Sequence, residues 1–219
     1  MPGQAGWIAL GIMALYLGAF AWGTAEAGRI AGQPVWLFGR TRGTERLAAF
    51  GFRLAFALAL LGPLIWLVFP ALRRLDPLWA EEPYQMLGIA GVLLAVAGAM
   101  LAFAAQMSMG ASWRVGVLEG ESGSLVTGGL FRLSRNPTFV GQALLLTGLA
   151  LAIPSVLTLV AVLVFVTSAS VQIRAEERIL LAVHGAEYCR WSAQVPRWLR
   201  RGSSLPSGGT TEARDLTKP

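Results

Sequence analysis

Residues 136–173 run for 38 positions without one ionisable side chain, and nothing else so narrows what this chain can become. As a single helix the run would measure about 57 Å at 1.5 Å per residue, against a bilayer hydrocarbon core of about 30 Å. Pro154 and Ser155 stand near its middle. Proline removes a backbone donor and clashes with the preceding turn, so the run divides there into two spans joined as a tight hairpin. Three more uncharged stretches, 7–25, 54–69 and from 86 towards 114, bring the count to five. The second is expected to start earlier, near Leu47, with Arg53 extending its guanidinium to the headgroups.

Composition agrees with lipid as the solvent. Only 14% of the 219 residues are charged and 55% are hydrophobic, with mean hydropathy +0.58, whereas a soluble domain carries roughly a quarter charged residues. The fold class is therefore all-α and polytopic: about five transmembrane helices, the last two a hairpin, then a C-terminal amphipathic helix. A lone cysteine, Cys189, excludes an internal disulfide.

Arg and Lys are retained on the cytoplasmic side of a membrane. Of the 18 basic residues, 16 fall in the first loop, the third loop and the segment after the last span; only Arg73 and Arg74 fall on the other side. This places the N-terminus outside and the C-terminus in the cytoplasm. The excess charge of +6 is thus a topology signal, not a nucleic-acid footprint. Arg outnumbers Lys 17 to 1, a bias that fits GC-rich coding and a bacterial inner membrane. Although Ala25-Glu26-Ala27 resembles a leader cleavage site, no basic region precedes the first apolar run, which is read as a span.

Pumps and coupled transporters place ionisable groups within their spans; these spans have none. Polar groups such as Gln142, Thr147, Thr158, Thr167 and Ser168 read as packing. Gly88, Gly91 and Gly98, with Gly141 and Gly148, suit close helix contact. Polar chemistry is left to the cytoplasmic rim. Asn136-Pro137 there could simply start a span, as N-cap and first helical residue, and Trp113-Arg114 could be an interfacial anchor. On a helical wheel Ile173, Glu177, Leu180, His184, Tyr188, Trp191 and Val195 form one stripe, with Glu176 beside it and Arg174 and Arg178 facing elsewhere. A carboxylate in an apolar stripe requires a partner: an internal ion pair with Arg135, Arg132 or Arg114, or a cationic ligand.

The segments 125–131 and 135–141, reading Arg135-Asn136-Pro137-Thr138-Phe139-Val140-Gly141 in the second, resemble the Gly-x-Tyr and Arg-His-Pro-x-Tyr-x-Gly signature of isoprenylcysteine carboxyl methyltransferases and phospholipid methyltransferases. Glu176-Glu177-x-x-Leu180, His184-Gly185-x-x-Tyr188-x-x-Trp191 and Val195-Pro196-Arg197 are similar to that family's endings, in the same order and spacing. The resemblance covers 86–199. Asn136 stands where the family has His, Phe139 for Tyr, His184 for Phe and Trp191 for Tyr, so position 136 is given no titrating role.

The resemblance implies S-adenosyl-L-methionine as methyl donor, held without a Rossmann domain or a metal. It implies Arg135 on the cofactor's carboxylate, Glu176 or Glu177 on its ammonium, backbone from Val126 through Gly128 to Leu130 along the adenosine, and Asn136, Phe139, Tyr188 and Trp191 packed around it. Arg174 or Arg135 would neutralise a carboxylate or thiolate acceptor, and Glu176 or Glu177 would take a proton from an amine. The acceptor is expected to be lipophilic or small and to come from the membrane lipids, with no nucleic-acid partner. The implied organisation is a two-span region at 1–85, a methyltransferase-like core at 86–201 and a disordered tail at 202–219. The competing reading is a non-enzymatic membrane subunit that keeps the fold without methyl transfer.

Overall fold

The structure, a computed structural model, describes residues 4–32, 35, 43–78, 85–115 and 124–199; the expected tail at 202–219 and first-loop Arg40 and Arg42 lie outside these. The regular elements among the described residues are all helices: α1 (Gln4–Ala31), α2 (Gly43–Val68), the single turn α3 (Pro70–Arg73), α4 (Gln85–Met109), α5 (Pro137–Ala152) and α6 (Val156–Gln194). Four helices, α1, α2, α4 and α6, are long and apolar enough to cross a membrane. The fifth, α5, has 16 residues and so reaches about 24 Å. This is the polytopic helical architecture that the uncharged runs require.

Burial is inverted in size. The inward face of α4 is Gly88, Gly91, Ala95, Gly98, Ala102, Ala105 and Gln106, while Leu93 and Met100 point out. Lipid chains are as apolar as leucine, so helices associate through close packing rather than by hiding large side chains. Gly91 and Gly98 of α4 face Gly141 and Gly148 of α5, and a Cβ on Gly98 would strike the backbone N of Leu145. Neither helix could carry a side chain there at this separation. On the other side α2 meets α6, Gly51 lying against Ser168 and Gly62 against Leu157. Phe52, Phe56 and Phe165 fill the centre, with ring centroids 5.2–5.9 Å apart.

The hairpin turns at Ile153, Pro154 and Ser155, where the proline was expected to break the run. The first backbone donors of α6 find partners there. Ser155 Oγ accepts from Thr158 N at 3.0 Å, and the buried Asp76 carboxylate, from the connection after α3, accepts from Val156 N at 2.9 Å. The C-terminal amphipathic segment is no detached helix. It continues α6, whose residues 156–173 measure about 27 Å, close to the thickness of the hydrocarbon; from Arg174 the helix carries charge. The axis breaks at Gly185, whose φ of 49° and ψ of −119° leave the helix in a region open to glycine and strained for other residues.

Candidate active site at the charged rim

Where α4 ends, a 3-10 turn, Gly110–Ser112, directs Trp113 inward. Its indole Nε1 donates to Thr24 Oγ1 at 3.2 Å. Gln106 Nε2 donates to the same oxygen at 3.0 Å and to the Phe20 carbonyl at 3.0 Å. Trp113 is buried, edge-on to Phe20, so it joins α1 to α4 instead of anchoring at the interface. Val115 N donates to the Val35 carbonyl at 2.8 Å, tying the chain beyond α1 to the same place.

A second 3-10 turn, Gly129–Arg132, leads to Arg135 and Asn136 at the head of α5. Asn136 occupies the N-cap position and Pro137 the first turn, as their types suggest, yet the Asn136 side chain caps nothing. Its Nδ2 donates instead to the Arg197 carbonyl at 2.9 Å, and Arg135 N donates to the Pro196 carbonyl at 2.9 Å. These bonds bind the chain end after α6 to the start of α5.

The carboxylate in the apolar stripe is met by two guanidinium groups. Arg135 Nη1 lies 2.9 Å from Glu177 Oε1 and donates to the Tyr188 hydroxyl at 3.1 Å. Arg197 forms a fork on Glu177, Nε to Oε1 at 2.9 Å and Nη2 to Oε2 at 2.6 Å. Two charge-assisted partners satisfy a carboxylate that would otherwise be costly to bury. The Tyr188 hydroxyl is shifted above its ordinary pKa, by burial first and the Glu177 charge second; Trp191 packs edge-on against its ring. Arg135 Nε is buried without a partner among the described residues.

In front of this cluster is a cleft that encloses about 590 Å³ of empty space, counting the part open to solvent. Phe20, Phe52, Trp113, Phe131 and Phe139 give it aromatic walls. Arg114 and Arg135 bring positive charge and Glu176 negative, and Asn136, Gln142 and Gln172 bring amides. The Glu176 carboxyl is pushed up to about 7, by burial first and the charge of Glu177 second.

Of the residues expected at the site, Arg135, Asn136, Phe139 and Glu176 line the cleft. Glu177 and Tyr188 stand behind it, coupled through Arg135. Arg174 is exposed and lines none of it, so the expected pairing of an acceptor with this cation is not supported by its position. Val126, Gly128 and Leu130 are also absent from the lining; the same strand of chain contributes Phe131. Sequence reasoning gave no place to Phe20 and Phe52, since their helices carry no motif. It treated Gln142 only as packing, although an amide in a span was the available signal.

Fold and site together define a polytopic helical membrane protein with a charged, aromatic-walled cleft at one end of its bundle. Residues 86–187 match the model of the phospholipid methyltransferase family. The match spans a little under half of the 219 residues and is a similarity to that family over this region. No curated protein matches the chain. The matched region runs from the start of α4 past Gly185, and so includes both Glu176 and Arg135.

Proposed function

We propose that the protein is an S-adenosyl-L-methionine-dependent methyltransferase whose cofactor occupies the cleft and whose acceptor, a lipophilic or small carboxylate, thiol or amine, arrives from the bilayer. The observation that carries this reading is the meeting of Arg135, Glu176 and five aromatic rings in one cleft, largely within the segment that matches the family. The donor set suits the cofactor's chemistry. A methionine carboxylate would satisfy the partnerless Nε of Arg135, and a guanidinium fork is the side chain best matched to it. When bound, the cofactor supplies an electrophilic methyl on a sulfonium.

The chain's own groups do the remainder. Aromatic walls exclude water and attract a sulfonium through their faces, an interaction worth about 0.5–2 kcal/mol. Holding donor and acceptor in line can contribute about 7–11 kcal/mol to the barrier reduction. Glu176, poised near neutrality, takes the proton from an amine or thiol acceptor. Glu177 holds Arg135 in place and does not face the acceptor. The cleft faces the cytoplasm in the orientation set by the basic loops.

The test is binding of S-adenosylhomocysteine to the purified full chain in detergent, followed by incubation of lipid extracts with labelled methyl donor. Arg135→Ala is expected to remove most of the binding. Unchanged affinity in that variant defeats the site assignment. Binding with no methyl transfer to any extract favours a non-enzymatic subunit, a reading motivated by the way Asn136 is used as a tie to Arg197.

A further inference from the structure

Three charges share one contact at the cleft: Arg135, which lines it, and Glu177 and Arg197 behind. Arg135 and Arg197 contribute two positive charges and Glu177 one negative, leaving the cluster at +1. The two arginines bind unequally. Arg197 engages both oxygens of Glu177 with its Nε and Nη2 fork; among the described residues Arg135 uses only Nη1, for Glu177 and Tyr188, and its buried Nε has no partner. Arg197 also has a fixed position, because the carbonyls of Pro196 and Arg197 accept from Arg135 N and Asn136 Nδ2. Without Arg197, Glu177 would have Arg135 as its sole cation among the described residues. The cluster would fall to zero charge, and the fork of Arg135 would be drawn from the cleft to its neighbour.

We propose that Arg197, outside the family-matched segment, is a positioning residue: it occupies Glu177 and thereby keeps Arg135 available as the cation that receives a carboxylate in the cleft. This rests on the role given to Arg135 under Proposed function. It assigns Glu177 a new character as well, since the same carboxylate becomes inhibitory once Arg197 is gone. Glu176 and Arg114, the other charges that line the cleft, are common to every variant below and do not alter their order.

The experiment measures S-adenosylhomocysteine affinity of the full-length protein in detergent for the wild type, Arg197→Gln, Arg197→Lys and the double variant Arg197→Gln/Glu177→Gln. Arg197→Gln is expected to weaken binding by about tenfold or more, the scale of one charge-assisted hydrogen bond. Arg197→Lys keeps the cluster at +1 and retains most of the affinity. The double variant returns the cluster to +1 and recovers most of what Arg197→Gln lost. A brace that served only to hold the chain end would give the reverse, with the double variant no better than the single. Wild-type binding with Arg197→Gln unchanged, or with no recovery in the double variant, overturns the proposal alone. Failure of the wild type to bind overturns the reading of the cleft, and this proposal with it.

Discussion

Glu176 and Glu177 are adjacent and chemically identical, yet the helix turns them about 100° apart and the fold gives them different partners. Glu177 is neutralised by Arg135 and Arg197, whereas Glu176 faces the cleft with its carboxyl raised to about 7 from an ordinary 4.5. A carboxyl raised in the folded state lends stability that is fully present below its unfolded pKa and is lost as pH rises through the folded value. The window is therefore about 4.5 to 7, and stability falls as pH rises across it. Thermal unfolding in detergent at a series of pH values is expected to show this slope in the wild type and less of it in Glu176→Gln. An identical slope in both would remove Glu176 as its source. At this level the sequence was partly legible. The apolar stripe demanded a partner for Glu177 and named Arg135 among three arginines. It could not name Arg197, which follows the break at Pro196, where the wheel that aligns residues 173–195 no longer applies.

Helix contacts obey different rules. Gly98 sits where an added Cβ would press on the backbone of α5, and backbone cannot rotate aside as a side chain can. Gly98→Ala is expected to destabilise the protein by about 1–3 kcal/mol, in the range of overpacking a close contact. Gly11 of α1 is the control, because a Cβ there meets nothing within 4 Å; Gly11→Ala should be neutral or stabilising by up to about 1 kcal/mol through helix propensity. Thermal unfolding of the two variants decides between a contact effect and a general intolerance of glycine replacement. Asp76 acts at a distance in sequence. Its carboxylate holds Val156 N at the start of α6 and Leu78 N in its own loop, so Asp76→Ala should cost about 0.5–2 kcal/mol, as for a lost N-cap. The small-residue spacing and Pro154 made the α4, α5 and α6 packing readable. Asp76, like the Thr24, Gln106 and Trp113 link, was not, because contacts 80 to 89 positions apart leave no periodic trace.

The bundle as a whole has two ends of different character. At one lie the α5 to α6 turn and Asp76; at the other lie the cleft, the head of α5 and the charged half of α6. Five crossings would put the chain's ends on opposite sides, and the loop count expected from the sequence assigns 16 of 18 basic residues to the side of the cleft. Basic segments stay in the cytoplasm, where a charged, water-borne cofactor would be found. The orientation can be tested without altering the protein. Cys189 is the only cysteine and is exposed, on α6 beyond Gly185 and past the apolar stretch. A membrane-impermeant maleimide should label it in inverted vesicles and leave it unlabelled in sealed right-side-out vesicles until detergent is added. Labelling from the outer face of intact vesicles would invert the molecule. It would also place the cleft, and any acceptor that reaches it through the lipid, on the side opposite the cytoplasmic methyl donor.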